Sequence, residues 1–146
     1  MAQMESGGIQ ESIRQLEKAN LFTDENIKDM LTAGTEAMLG AVKSAFVQAG
    51  HNNPGRPRRT GATLRHITKS RTVKKDKYGV PYKEVTVSGK DKRGERFGAK
   101  AFVLNYGRRK GGKITADYYW STAVKNTRQL VNNKMADIAA EKLKGE

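Results

Sequence analysis

The segment from Lys100 to Asn126 constrains the fold more than any other part of this 146-residue chain. It consists of an apolar turn that ends in Gly107, a basic glycine-rich loop, and a stretch led by three aromatic residues. Gly107 stands at the predicted end of a helix, where a left-handed conformation favours a residue without a Cβ. Thr115 is the predicted N-cap of the next helix, with Asp117 near the positive end of its dipole. The segment therefore predicts two helices packed together around an exposed loop.

Length and composition narrow the class of protein. A chain of 146 residues predicts a single domain over residues 1–146, which can bury a core without metals or disulfides. The absence of cysteine excludes disulfides, thiol nucleophiles and cysteine-based zinc sites. No apolar run reaches transmembrane length, and the amino terminus lacks the regions of a signal peptide. We therefore expect a protein that is made in the cytoplasm and has no membrane partner.

Charge is distributed unevenly along the chain. Residues 1–36 carry seven acids and three bases, whereas the rest of the chain carries 25 bases and eight acids. Nine bases and no acid lie between residues 37 and 75. Such a field attracts phosphate backbones or acidic protein surfaces, although a solubilising surface without a partner gives the same composition.

Apolar residues recur at helical spacing in three stretches. The first, over 9–19, lies in an acidic N-terminal helix or extension predicted over 1–22. The second begins at the N-cap Thr23 and ends before Gly50, a predicted C′ residue. The third is a terminal helix over 119–143. Small residues along the second helix predict close packing, which we expect to be against the protein's own sheet.

Two further stretches are predicted strands. Leu64–Lys75 alternates imperfectly, whereas Tyr82–Ser88 places Val85 and Val87 on one face. A turn at Asp76–Gly79 separates them. The sequence therefore predicts the α+β class: a small antiparallel β-sheet packed by a long N-terminal helix, a short helix and a long C-terminal helix.

The bases cluster in a predicted mobile loop over 50–62, in the first strand and in the glycine-rich loop. A loop without any role is the alternative for 50–62. We expect the clustered cations to face DNA or an acidic partner, two possibilities that the sequence does not separate. The candidate DNA- or partner-facing residues are Arg56, Arg58, Arg59, Lys69, Arg71, Lys74, Lys75, Arg108, Arg109, Lys110 and Lys113.

No catalytic, cofactor or metal site is predicted. His51, in a loop, and His66, in a strand, have no spaced partners, which favours surface or structural roles. Asp91 and Glu95 lie in or beside a hairpin turn, where charged residues are common and a general acid–base pair is rare. The glycines around Arg108 lack the spacing and the Ser/Thr of a P-loop. We therefore predict a protein that is not an enzyme and has no cofactor.

The three aromatic residues that lead the last helix have two interpretations. Tyr118, Tyr119 and Trp120 could stack on single-stranded bases, but the start of an amphipathic helix favours a place in the core. We expect one buried core that contains Phe46, Phe102, Leu104, Trp120, Val124 and Leu130.

The order of these features resembles a known family. A long N-terminal helix, an arginine-rich loop, the segment TGATLRHITKSRTVKK, a valine strand, AFVLNYG and an aromatic-to-alanine helix follow one another. Over 24–143 the chain is similar to the small tail-component family of long-tailed double-stranded DNA phages, also described as neck or head–tail joining proteins. Thr60, Gly61, Leu64 and Ile67 fit the family's segment before the first strand.

Tyr106 and Gly107 match an apolar turn that ends in Glu-Tyr-Gly-Thr or Glu-Phe-Gly-Thr in the family. Asn105 and Arg108 replace the acid and the threonine of that motif. The aromatic residues at 118–120 stand where members often have proline and phenylalanine. The residues to which the resemblance gives packing roles are Phe102, Tyr106, Gly107 and Trp120.

The resemblance implies a structural virion protein that forms a homo-oligomeric ring at the phage neck. Its implied partners are copies of itself, the head connector, tail-tube or tail-terminator proteins, and packaged double-stranded DNA that is contacted without sequence preference. Its implied location is the virion, after assembly in the host cytoplasm. Signatures of helix-turn-helix, zinc-finger and RNA-binding modules are absent, which agrees with backbone contact. The alternatives are a non-specific nucleic-acid-binding protein and a tail assembly chaperone.

Overall fold

A computed structural model describes residues 2–51, 62–110 and 113–145, with residues 2–8 described by their backbone alone. In chain order its elements are α1 (Ala2–Lys18), α2 (Asp24–Gln48), α3 (Ala62–Arg65), β1 (Ile67–Lys69), β2 (Lys74–Lys75), β3 (Pro81–Tyr82), β4 (Val85–Val87), α4 (Phe97–Tyr106) and α5 (Tyr119–Lys144). Long terminal helices with short antiparallel strands confirm the predicted α+β class. None of the described helices combines the length and the apolarity that crossing a membrane requires.

The chain divides into two compact units. The first unit comprises Met1–Met38, Ser70–Glu84 and Thr127–Glu146. The second unit comprises Leu39–Lys69 and Val85–Asn126. Helices α2 and α5 each contribute residues to both units. The single domain over residues 1–146 stays a prediction.

The core of the first unit is built from α1, α2 and α5. Leu16, Met30 and Ala139 are buried there. The partly buried apolar residues that pack against them are Ile9, Ile13, Leu21, Met135, Ile138 and Leu143. The apolar stripe of α1 that the sequence predicts, with Ile9, Ile13 and Leu16, therefore faces this core.

Both predicted caps of the second helix are confirmed. The backbone N–H of Asn26 donates to Oγ1 of Thr23 at 3.2 Å, as an N-cap requires. At the other end Gly50 has φ 78°, and the N–H of His51 donates to the carbonyl of Phe46 at 3.2 Å. This pattern is a Schellman ending with glycine at C′.

The small residues of α2 were expected against the sheet, and at Gly34 this prediction is wrong. A Cβ on Gly34 would lie 2.9 Å from Cγ of Met135 and 3.1 Å from Cγ1 of Val131, both on α5. The strands contain two or three residues each, too few to cover a helix of 25 residues. Another long helix provides the contact.

The first predicted strand is largely wrong. Leu64 lies in α3 and His66 in the turn after it, and only β1 and β2 are extended within Leu64–Lys75. Ile67 is the one fully buried apolar residue of this stretch, in line with its imperfect alternation. With only one buried side chain to fix its register, the strand extends over three residues instead of the predicted twelve.

The second predicted strand divides into β3 and β4. Val85 and Val87 are half-buried and Thr86 is exposed, which confirms their predicted faces. Strands β1 and β4 pair antiparallel, with Ile67 opposite Val87, and β2 pairs antiparallel with β3. The β2–β3 hairpin encloses the predicted turn at Asp76–Gly79.

The single predicted core is only partly correct. Phe46 is buried, and Leu104, Trp120 and Val124 are half-buried. Phe102 is 62% exposed and Leu130 is 47% exposed, so these two assignments are wrong. Helix α4 turns Phe97, Ala101 and Asn105 inward. Residues four apart share a helix face, which places Phe102 outside. The buried apolar residues of the second unit are Val42, Phe46, Ile67, Phe97, Ala101, Tyr119 and Ala123.

Replacing Gly34 by leucine should destabilise the protein, because the new side chain meets Val131 and Met135 on α5. Overpacking of this kind costs about 1–3 kcal/mol. The matched control is Gly40→Leu on the same helix, where nothing lies within 4 Å of an added Cβ. That change should raise the free energy of unfolding by up to about 0.8 kcal/mol through helix propensity. Urea unfolding measures both, and equal effects at the two positions would contradict the packing of α2 on α5.

Candidate nucleic-acid and partner interface

The entire net charge of the chain belongs to the second unit. The second unit contains 16 Lys and Arg and three acids, whereas the first unit contains 12 bases and 12 acids. The first unit is therefore neutral, and the second carries the whole formal charge of +13. A field concentrated in this way attracts anions to one part of the molecule.

The three acids of the second unit each lie against a basic side chain of the same unit. Asp91 Oδ2 lies 2.6 Å from Nζ of Lys100, and Glu95 Oε2 lies 3.8 Å from the same atom. Asp117 Oδ2 lies 2.7 Å from Nε2 of His51. The hydrogen bond from Lys100 lowers the pKa of Asp91. All three acids of the unit are thus engaged by its own basic side chains, against 16 Lys and Arg in the unit.

A groove of about 1110 Å³ lies within the second unit. Its apolar lining includes Phe46, Phe97, Val103, Leu104 and Ile114. Seven cationic side chains line it, against the two carboxylates of Asp91 and Glu95. The cationic residues, which we call the basic groove residues, are Arg65, Lys90, Lys92, Arg93, Arg96, Lys100 and Arg108.

A tight turn presents most of the basic groove residues. Lys90 and Arg96 form an antiparallel bridge, and Oδ1 of Asp91 accepts from the N–H groups of Arg93 at 2.8 Å and Glu95 at 2.9 Å. One carboxylate thus closes the turn and holds Lys100. Within the described ranges, no carboxylate forms an ion pair with Lys90, Lys92, Arg93 or Arg96. These side chains are available to an anionic partner.

The two histidines serve as packing elements of this unit. The His66 ring stacks on Phe97 at 4.1 Å between centroids, and its Nδ1 lies 2.7 Å from the carbonyl of Ala62. The side chain of His51 is 8% exposed and contacts Phe46 and Tyr119, with ring centroids 5.4 and 4.9 Å apart. Their surroundings are those of structural histidines. The prediction that His66 lies in a strand is wrong, because it follows α3 in a turn.

The basic loop after α4 is held at both ends. Gly107 ends α4 as predicted, at a positive φ of 78°, and its N–H donates to the carbonyl of Val103 at 2.7 Å, but its ψ of 176° makes the ending extended rather than left-handed helical. A Cβ there would lie 2.7 Å from the carbonyl oxygen of Ile114. Arg108 and Ile114 exchange two backbone hydrogen bonds of 3.0 Å. This narrow closure projects the exposed Arg109, Lys110 and Lys113.

Asn105 caps the last helix from the preceding one. Its Oδ1 accepts from the N–H of Trp120 at 2.9 Å and of Ser121 at 3.3 Å, and its Nδ2 donates to Oγ of Ser121 at 3.0 Å. The predicted N-cap at Thr115 is wrong, because α5 begins at Tyr119. Asp117 does lie at the helix start, where its Oδ1 accepts from the N–H of Tyr119 at 3.1 Å.

Three exposed aromatic side chains form a continuous surface beside the basic loop. Phe102, Tyr106 and Tyr118 are 62%, 52% and 51% exposed. The Phe102 and Tyr106 rings are 4.6 Å apart, and those of Tyr106 and Tyr118 are 6.1 Å apart. We call these three residues the aromatic patch. Tyr119 points the other way and is buried, with its hydroxyl donating to the carbonyl of Ala101 at 3.2 Å. Burial raises the pKa of that hydroxyl.

The candidate DNA- or partner-facing residues that the sequence predicts belong to both units. Arg71, Lys74 and Lys75 lie in the first unit, where Lys74 pairs with Glu84 at 2.6 Å and its pKa is raised by that hydrogen bond. The members in the second unit are Lys69, Arg108, Arg109, Lys110 and Lys113. Arg56, Arg58 and Arg59, like most of the predicted loop over 50–62, lie outside the described residues.

Sequence reasoning missed most of the basic groove residues. Five bases occur among the twelve residues 89–100, GKDKRGERFGAK, the stretch that holds the predicted hairpin turn with Asp91 and Glu95. That density of bases was the available signal. The interleaved Asp91 and Glu95 obscured it, because the sequence does not reveal that both approach Lys100.

No family model, no curated protein and no solved structure matches this chain. Among the described residues, no group of three His, Asp or Glu side chains could hold a metal ion.

Replacing Asn105 by alanine should lower the free energy of unfolding by about 1–3 kcal/mol, since the part-buried N–H groups of Trp120 and Ser121 lose their acceptor. Asn105→Asp should cost less, because a carboxylate accepts the same N–H groups and favours a helix N-terminus. Thermal unfolding of both variants measures the difference. An alanine variant as stable as the aspartate variant would show that the cap is unimportant.

The Asp91–Lys100 contact predicts a pH-dependent contribution to stability. The pKa of Asp91 is lowered from its ordinary 3.8, so its contribution is present above pH 3.8 and is lost as the pH falls through the folded-state pKa. The wild type should therefore exceed Asp91→Asn in stability at neutral pH, and the gap should close in strong acid. Urea unfolding over a pH series measures the gap, and a gap that does not change with pH would contradict the ion pair.

Proposed function

We propose that this chain is a structural subunit of the neck of a long-tailed double-stranded DNA phage. In this proposal it forms a homo-oligomeric ring that joins the DNA-filled head to the tail and surrounds the DNA channel. The resemblance over 24–143 supports the assignment to that family. The concentration of all net charge in the second unit is the observation that carries the DNA-facing role.

A DNA channel in a virion must accept any sequence. It therefore needs cations that contact phosphates, without groups that read base edges. The basic groove residues come from a turn, a four-residue helix and loop ends, and none of these fits the major groove as a recognition helix does. Lys90, Lys92 and Arg93 are exposed and, among the described residues, have no carboxylate partner. This arrangement suits contact with the DNA backbone.

The remaining elements of the proposal follow from the family. The partners are other copies of the chain, the head connector, tail-tube or tail-terminator proteins, and packaged DNA. The location is the virion neck, after assembly in the host cytoplasm, and the role is structural rather than enzymatic. A tail assembly chaperone would require none of the DNA contacts.

A non-specific nucleic-acid-binding protein is the second candidate. The basic groove favours it, because seven cations line a single concave surface. The two candidates differ in what the protein does in an infected cell. A neck subunit stays in the finished particle, whereas a nucleic-acid-binding protein does not need to.

Replacing Lys90, Lys92 and Arg93 together by serine should weaken duplex binding and impair head–tail joining. Purified protein should bind duplex DNA without sequence preference, with a log–log salt slope of about −0.9 per phosphate contact. The triple variant should show a slope shallower by up to about 3. Phage that carry the triple variant should accumulate filled heads and separate tails.

The matched control replaces three exposed cations of the first unit that are not candidate contact residues, Lys28, Lys77 and Lys134, by serine. Its fold, duplex affinity and particle yield should stay close to those of the wild type. Normal yield from the groove variant would contradict a role in joining. Tight binding to one sequence, insensitive to salt, would indicate a regulatory DNA-binding protein instead.

A further inference from the structure

The aromatic patch is an apolar surface that the chain leaves uncovered. Helix α4, FGAKAFVLNY, has Lys100 as its one charged residue, so both its inner and its outer faces are apolar. A helix that is apolar on all sides is normally buried on all sides. The outer side of α4 nevertheless exposes Phe102 and Tyr106.

The backbone at Tyr118 adds a second observation. Tyr118 has φ 54°, a left-handed conformation that is costly for an aromatic residue. This conformation directs Tyr118 onto Tyr106, while Tyr119 enters the core. Strain of this type persists where the surroundings impose it, and it clusters at functional surfaces. The third ring of the patch is thus held outward at an energetic cost.

Charge restricts what can cover the patch. No acid lies between Glu95 and Asp117, and the loop beside the patch carries Arg108, Arg109, Lys110 and Lys113. Two copies of the patch facing each other would bring these cations together, which disfavours a symmetric contact. Duplex DNA offers phosphates but no apolar surface to the rings, because its bases are stacked inside. The occupant must combine carboxylates with an apolar side chain.

The chain itself contains such a segment. Residues 1–36 are the part of the chain with an acidic excess, seven acids against three bases. Within them, Phe22 is an exposed large apolar residue, followed by the exposed Asp24 and Glu25. Among the described residues, neither acid forms an ion pair, although the charge of Glu25 helps to raise the pKa of Lys142 after the larger effect of Asp29. This segment therefore offers one aromatic ring beside two carboxylates. The aromatic patch offers three rings beside the four cations of the basic loop, so the two surfaces are complementary.

We infer that the aromatic patch of one copy docks the Phe22–Glu25 segment of a neighbouring copy. The inference rests on the proposed ring, because a contact between two different surfaces is heterologous and can close into a ring. Phe22 packs against Phe102, Tyr106 and Tyr118, while Asp24 and Glu25 face the basic loop. Every subunit then uses both surfaces once.

Cysteine cross-linking tests this contact directly, because the natural chain has no cysteine. Two full-length variants, Phe22→Cys and Tyr106→Cys, are mixed and oxidised mildly. The mixture should form a disulfide-linked heterodimer that neither variant forms alone. The matched control pairs Tyr106→Cys with Tyr78→Cys, another exposed aromatic site. The heterodimer yield should exceed this control by about tenfold, because docking raises the effective concentration of the two thiols.

Charge reversal provides the second arm of the test. Asp24→Lys with Glu25→Lys in the Phe22→Cys chain should reduce the yield, and so should Arg109→Glu with Lys110→Glu in the Tyr106→Cys chain. Combining the two reversed chains should restore it. Circular dichroism checks that each variant is folded. Reversals that fail to rescue one another would overturn the pairing.

Other outcomes identify other occupants. Equal yields in the test and control mixtures overturn the inference, and a dominant Tyr106→Cys homodimer indicates a symmetric contact instead. Weaker binding of a thymidine oligonucleotide by Tyr106→Ser, together with a heterodimer yield no higher than that of the control, would make the patch a base-stacking surface. The proposed function fails separately, if the chain is absent from purified particles. A chain present in particles but without the cross-link refutes only this contact.

Discussion

The side-chain amide of Asn105 connects the end of α4 to the start of α5, and the arrangement of the basic loop and the aromatic patch depends on it. Its oxygen accepts two N–H groups at the N-terminus of α5, and the carbonyl of Asn105 accepts the N–H of Tyr118. Gly107 then turns the chain away in a conformation that places it against Ile114 and Ala116. Because both ends of the connection are fixed, the basic loop and the aromatic patch lie beside each other. The amide satisfies N–H groups in the first turn of α5, which have no acceptor within the helix itself.

The distribution of charge follows a second constraint. A surface that binds polyanions needs cations without competing carboxylates, yet a folded unit needs carboxylates for its turns. The second unit meets both needs by using its acids internally: Asp91 closes a turn and holds Lys100, and Asp117 lies against His51 and the start of α5. The first unit balances its charges and contains its own ion pair between Lys142 and Asp29 at 2.6 Å. The charge therefore separates by unit, a property that the total of +13 does not reveal.

Local signals in the sequence predicted local structure well. Thr23, Gly50 and Gly107 are caps because each depends on a few neighbouring residues, and the α+β class follows from the helical periodicity. Contacts between distant residues were not predictable in the same way. The sequence predicts Phe102 in the core, whereas in the structure Asn105 occupies the inner face of α4 and Phe102 is exposed. The sequence likewise predicts Thr115 as the cap of the last helix, whereas Asn105 caps it. The basic groove was missed because it depends on which acids pair internally, and pairing is a property of the fold.

The proposed function requires the second unit to face DNA within a ring at the head–tail junction. Cryo-electron microscopy of the neck in intact particles, at a resolution that traces this chain, measures that placement. The map should show a ring of copies of the chain, with the turn from Lys90 to Arg96 directed at the DNA density in the channel. A neck that does not contain the chain would refute the proposed function. So would a ring in which that turn points away from the channel and the neutral first unit lines it.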